Sequence, residues 1–171
     1  MQESPQQYTE RLLGYVGSKK PLAIMAATPK KLARLLKGKS RAVLSKRPAP
    51  DKWSVTEILA HMADAEMSFG FRMRLTLGAN GTPIKAFDQD VWAGFSKYQK
   101  QEPKLSFEAY RILRERNVRL LRSIPKELWD NYGMHEERGK ETVVRISEMA
   151  AGHDLNHVRQ IENILKKEKG R

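Results

Sequence analysis

Apolar residues in this chain return every three or four positions, in segments cut apart by proline and glycine. A helix needs that period to turn one face to a core. The breaks fall at Thr28-Pro29, at Pro48-Ala49-Pro50, from Gly78 to Pro83, at Glu102-Pro103 and between Gly133 and Gly139. No stretch alternates cleanly over six residues with β-branched side chains, so strand signals are nearly absent. Four long amphipathic segments predict an all-α fold, a four-helix bundle forming a single domain over residues 1–171. The long connections after the first pair of helices, and between the second and third long ones, exclude the simplest short-loop design.

The second long helix has the clearest start. Ser54-Val55-Thr56-Glu57 is a capping box, with Trp53 and Ile58 placed as a hydrophobic staple. That helix runs to about Leu77, is ended by Gly78, and carries Ile58, Met62, Ala65, Phe69 and Met73 on one face. The first long helix is predicted to begin at Thr28, with Thr as cap and Pro29 at the first helical position. Leu32, Leu35, Leu36 and Val43 form its stripe, and a shorter helix precedes it over residues 6–16. The third covers residues 105–123, with Phe107, Tyr110, Leu113, Val118, Leu121 and Ile124 as its buried side and Arg and Glu between them. The fourth covers residues 142–167 and lines up Ile146, Met149, Ala150, His153, His157, Ile161 and Ile164. Lys166, Lys167 and Lys169 suit the negative pole at its end. A short helical turn is expected at residues 125–129. A small helix within 88–98 is expected to pack on the bundle through Val91, Trp92 and Phe95.

Charge divides the possibilities further. The chain has 32 Lys and Arg against 20 Asp and Glu, a formal +12, and 11 of the basic residues fall between Arg11 and Arg47 with no acid among them. Such a run can contact phosphates in a salt-sensitive way. The simpler reading is a solvated helix face followed by a polar loop, because no nucleic-acid motif and few aromatics accompany it. Nucleic acid is therefore not the expected partner. The absence of Cys excludes a disulfide scaffold, a thiolate zinc site and a cysteine nucleophile. No apolar run approaches the roughly 20 residues of a membrane helix, and the first residues lack a secretory pattern. A soluble, cytoplasmic protein is the expectation.

The histidines carry the functional signal. His153 and His157 are four apart on one predicted helix, so they share a face with Cβ atoms roughly 5–6 Å apart, close enough for one metal ion. That face is the apolar one. His61 lies in the apolar stripe of the second long helix, beside Ile58, Met62 and Ala65. If the two helices are neighbours, three imidazoles meet, a donor set typical of catalytic metal sites. Spacing alone leaves open that inward histidines are satisfied by hydrogen bonds. His135, in a Gly-flanked loop among acids, is read as structural or superficial, with a loop that can close over the site.

The stretch from Arg47 to Glu66, with Trp53-Ser54 opening a helix and His61 downstream, resembles the DinB-like superfamily of metal-binding four-helix bundles, which includes YfiT-type proteins. So does the stretch from Ala151 to Ile161, with His153-x3-His157 followed by Gln160-Ile161. Tyr132 to Gly139 is a looser third match. The resemblance spans about residue 20 to the end. It implies an up-down-down-up bundle with one long crossover connection. It also implies a divalent metal, nickel or zinc, held by His61, His153 and His157, and a homodimer.

Three neutral imidazoles leave the full charge on an ion, which acidifies a bound water to a pKa near 7 or holds a thiol deprotonated. The expected activity is therefore a metal-dependent hydrolase, or a transferase using a low-molecular-weight thiol as cosubstrate with a small-molecule substrate. The resemblance implies thiol S-transfer as well, and one branch isomerises maleylpyruvate. Asp64, Glu57 and Asp154 stand near the histidines in sequence, but a solvated or His-orienting role is the simpler reading of each. Asn156 and Gln160 are polar and near the same face. Trp53, Trp92 and Trp129 read as core, and exposed Phe87, Val91 and Phe95 suit a dimer interface. The alternative is a non-enzymatic binding module with a structural or vestigial metal, whose basic segment meets an acidic partner.

Overall fold

The computed structural model describes residues 3–169. Its helices are α1 (Pro5–Val16), α2 (Pro21–Leu36), α3 (Arg41–Ser45), α4 (Val55–Gly78), α5 (Gln89–Phe95), α6 (Pro103–Ser123) and α7 (Val143–Lys169). The bundle is a ring of α2, α6, α4 and α7, each touching the next, and α1 lies along α7. The start of α4 forms as its sequence dictates. Ser54 Oγ accepts the Glu57 N–H at 3.3 Å, and a Glu57 carboxylate oxygen accepts the Ser54 N–H at 2.9 Å. Arg47 then clamps the same carboxylate through Nε and Nη2. Burial is therefore affordable for Glu57, which is 2% exposed.

α2 departs from expectation. It begins at Pro21, not Thr28, and Pro29 lies inside it. A proline there removes the bond to the carbonyl four residues back. That carbonyl is Met25 O, and Arg114 Nη1 of α6 approaches it at 3.4 Å. Thr28 Oγ1 turns back onto Ile24 O at 2.9 Å. The interruption is thus absorbed by neighbours, and the helix continues. Val43 does not extend the α2 stripe: it lies on α3, where Leu44 is the buried residue.

Three short strands also escape a pattern-based reading. β1 (Thr82–Ile84), β2 (Tyr132–His135) and β3 (Gly139–Thr142) form a sheet in the order β1-β2-β3. β1 pairs with β2 in parallel (Thr82 with Gly133), and β2 with β3 antiparallel (Tyr132 with Thr142). At three or four residues, broken by Pro83 and Gly133, none is long enough to show alternation. The sheet ties the crossover between α4 and α6 to the connection entering α7.

The crossover helix α5 is held differently from the expectation. Val91 and Phe95 are 59% and 66% exposed, so they do not anchor it. Trp92 stacks on Phe87 at 4.4 Å between ring centroids. The buried anchor is Tyr98, just beyond the helix, whose hydroxyl donates to Asp64 at 2.6 Å.

The core has two apolar clusters. Leu12, Met25, Phe69, Met73, Ile146 and Met149 belong to one. Leu32, Ile58, Leu59, Met62 and Ile161 belong to the other, which Trp53 covers as its staple position foretells. Along α7 the boundary falls between Ala151 and Val158, and the gap holds His153, Asp154 and His157, all buried. α6 adds Arg114 and Asn117 to this polar layer, at 1% and 2% exposure, although arginines between apolar positions read as solvated. Gly70 lets α6 approach α4 here: a Cβ would lie 2.6 Å from the Asn117 side chain.

The basic segment is partly neutralised by the fold. Arg11 pairs with Glu3, Lys31 with Glu162, Arg41 with Glu102, Lys46 with Glu168 and Arg47 with Glu57. The acids missing from the local sequence arrive from elsewhere, two of them from the end of α7.

Candidate metal centre

His61 stands on the second turn of α4, and His153 and His157 stand one turn apart on α7. Because α4 and α7 are neighbours, their imidazoles meet. His61 Nε2 is 2.9 Å from His153 Nε2, and His157 Nε2 is 3.1 Å from the same atom. The rings are 2%, 4% and 6% exposed.

A neutral imidazole has one N–H and one lone pair. Three Nε2 atoms aimed at one point cannot satisfy each other fully. His157 Nδ1 lies 2.9 Å from Gln160 Oε1, which puts the proton on Nδ1 and leaves the Nε2 lone pair facing inward. His61 Nδ1 is buried without a partner among the described residues. Burial, with His157 adding to it, pushes the His61 imidazole well below its ordinary range. Burial and its two imidazole neighbours do the same to His153. Burial takes His157 down to about 4, against the Gln160 bond. At neutral pH all three are uncharged donors of lone pairs.

The spacing fits a divalent ion. Zn–N bonds of about 2.0–2.1 Å hold tetrahedral nitrogens about 3.3 Å apart, and right-angle ligands about 2.9 Å apart. The two Nε2–Nε2 separations, 2.9 and 3.1 Å, fall within that range. The three converging donors are all imidazole, which suits zinc, nickel, copper or iron.

Aromatic rings wall the site. Trp53 stands 5.1 Å from the His61 ring and Phe69 edges onto His153 at 5.7 Å. Trp53, read as core, is therefore also part of the site. Two chambers reach the imidazoles. One, of about 330 Å³, is bordered by His61, His153, Phe69, Arg72 and Phe87. The other, of about 840 Å³, is bordered by His157, Trp53, Arg11, Asn156 and Gln160. Glu3 and Tyr8 border both. α1 reaches this position because residue 152 is glycine. A Cβ there would lie 2.5 Å from the Leu12 carbonyl oxygen.

None of the carboxylates near the histidines in sequence faces them. Asp64 accepts from Tyr98, Glu57 serves the cap and Arg47, and Asp154 is held by Arg114 and by Tyr110 at 3.0 Å. Asn156 accepts from Arg11 at 3.0 Å. His135 lies on β2 and is 2% exposed, so it is not superficial. Its Nδ1 accepts the Glu137 N–H at 3.2 Å. The turn after it brings Glu137 and Arg138 to the rim of the smaller chamber. Sequence reasoning missed Tyr8, Gly152 and Arg72. For Arg72 a signal existed: it lies eleven residues, three helical turns, beyond His61.

Fold and donor set together define a helical bundle with a buried three-histidine centre between two of its rods. The DinB superfamily model matches residues 24–161, and the chain belongs to that family. A protein of Oceanobacillus iheyensis named "Putative metal-dependent hydrolase" is 24% identical over 115 residues, 67% of this chain and 66% of that one. The match thus spans just under two thirds of that relative's length. YfiT from Bacillus subtilis, described as a probable metal-dependent hydrolase with an unusual four-helix bundle topology, superposes with a TM-score of 0.80. Its identity is 18%, over 97% of this chain and 90% of that one. A mycothiol-dependent maleylpyruvate isomerase superposes with a TM-score of 0.68 at 12% identity, over 82% of this chain and 59% of that one. At these identities the structural matches speak to fold. Among the described residues no helix is long and apolar enough to cross a membrane.

Proposed function

We propose that the protein is a divalent-metal-dependent enzyme whose ion is held by His61, His153 and His157 and which hydrolyses a small-molecule substrate. The observation that carries this reading is the convergence of three buried, neutral Nε2 atoms from two helices, at 2.9 and 3.1 Å. When bound, a zinc or nickel ion supplies Lewis acidity and lowers the pKa of a water or a thiol. The chain supplies the rest. Gln160 fixes the His157 tautomer, Trp53 and Phe69 limit water around the rings, and the two chambers admit reactants to either side.

A transferase reading draws on a separate observation. The larger chamber, at His157, has room for a second reactant beside the first. A low-molecular-weight thiol there would meet an electrophile from the smaller chamber. The names of the relatives support metal-dependent hydrolysis, and the isomerase likeness extends only to fold. The proposed setting is the cytoplasm. The proposed assembly is a homodimer that covers Val91 and Phe95, both more than half exposed.

Elemental analysis tests the metal half of this proposal, with near one divalent ion per chain expected and loss in the His153→Ala His157→Ala double variant. Turnover of ester, amide and thiol-plus-electrophile panels by zinc- and nickel-loaded protein tests the catalytic half. Full activity in chelator-treated protein would defeat it.

A further inference from the structure

Arg72 is 7% exposed and borders the smaller chamber. It lies three turns beyond His61 on α4, about 16 Å along the axis and about 20° around it. Ala65 and Ser68, between them on the chamber wall, are small and leave the floor open. The Arg72 head is held on Lys85 O, and it borders the same chamber as His61.

The guanidinium is underpaired. Of its five donors, one Nη gives a hydrogen bond to Lys85 O at 2.9 Å. Among the described residues no carboxylate lies within salt-bridge distance of it. Glu141 is engaged by Arg138 at 2.8 and 3.1 Å, and Glu136 by Lys85 at 2.9 Å. Glu137 is exposed at the rim and makes no bond to it. The Phe87 ring packs 5.6 Å from the guanidinium carbon. Burial pushes the group down to about 10, and Arg138 adds to that. It still carries its charge at neutral pH, and its remaining donors form a planar fork that matches a carboxylate.

We infer that the smaller chamber binds a carboxylate-bearing substrate, its carboxylate held by Arg72 and its reacting bond delivered to the His61–His153 end. Ala65, Phe69, Phe87 and Met149 give the space between the two ends an apolar lining. The substrate class is thus a small organic acid with an apolar spacer between its acid and its reactive group. This rests on the metal reading above, since the far end is placed by the histidines.

Straight-chain dicarboxylic monohydroxamates of increasing length test it, each compared with its methyl ester, by calorimetry on the zinc-loaded full chain. The hydroxamate seeks the ion and the free acid seeks Arg72. At the best length the acid is expected to bind at least about tenfold tighter than the ester. Arg72→Gln should remove the difference while leaving the ester's affinity, and Arg72→Lys should keep part of it. Equal binding of acid and ester by the wild-type protein would overturn the inference and leave the metal reading standing, whether or not the variants fold. Benzoate on metal-free protein gives an arm without the ion. Its binding should weaken at least about tenfold in Arg72→Gln, and an unchanged affinity would count against Arg72. If hydroxamate affinity does not depend on zinc, the metal reading fails, and the benzoate arm still decides the role of Arg72.

Discussion

α4 and α7 each contribute to two buried polar groups, and the two groups are finished differently. His61 and Glu66 are five residues apart on α4, and His153 and Asp154 are adjacent on α7. Glu66 and Asp154 face α6, where Arg114 donates to both, twice to Asp154. Tyr110 adds a bond to Asp154 at 3.0 Å and Asn117 one to Glu66 at 2.7 Å, while Arg74 extends the chain to Asn117 Oδ1 at 2.7 Å. Burial works against the Arg114 charge, yet Asp154 and Glu66 hold it well above its ordinary range. The carboxylates are satisfied from within the fold. The histidine group is not: its lone pairs converge, and a ring nitrogen of His61 is buried without a partner. Arg114 Nε is also buried without a partner, but the carboxylates it serves have theirs, whereas in the histidine group the deficit falls on the imidazoles that the proposed ion would engage.

The ionic group is most sensitive at Arg114. Arg114→Met leaves two buried carboxylates without their cation and is expected to cost about 3–5 kcal/mol in a denaturant titration. Replacing the ionic group as a whole, with Glu66→Gln and Asp154→Asn added, should recover a large part of that loss. The histidine group should respond in the opposite sense to its ligand. Zinc at a hundredfold excess over its dissociation constant should stabilise the wild-type chain by about 2.7 kcal/mol. His153→Ala should abolish that gain, and an undiminished gain would break the contrast.

Gly152→Ala sharpens the geometry. The added methyl meets backbone of α1, which must shift, at an expected cost of about 1–3 kcal/mol by thermal unfolding. Zinc affinity should survive, because the histidine donors come from α4 and α7. The smallest effect concerns His135. Burial takes it down to about 4, with Arg138 adding to the push. Below pH 6.5 the unfolded chain takes up a proton that the folded chain refuses until about pH 4. Stability at this residue is therefore full above pH 6.5 and falls as pH drops through that window. His135→Gln should flatten the acid limb of a stability–pH profile between pH 7 and 4, read by denaturant titration at fixed pH values.

What sequence revealed of the two groups differs for the same reason. The histidines were legible because they are rare residues on apolar stripes, four apart in one case, and the capping box at Ser54 fixed the phase of the helix that carries His61. Arg114 was hidden because α6 carries arginine at many positions, and nothing local separates the one turned inward. The continuation of α2 through Pro29 was hidden with it, since the carbonyl freed at Met25 is approached by that same arginine. The small sheet lacked the length to show a period. The packing of α1 against Gly152, and so the place of Tyr8 at the site, depends on contacts between distant parts of the chain that no local pattern encodes.

Whether the three imidazoles form a metal centre is decided by X-ray absorption at the zinc edge on the loaded wild-type chain. Near one ion per chain is expected, with three imidazole nitrogens at about 2.0–2.1 Å and at least one oxygen ligand beside them. A zinc signal without imidazole scattering, or the same spectrum from the His61→Ala chain, would contradict it.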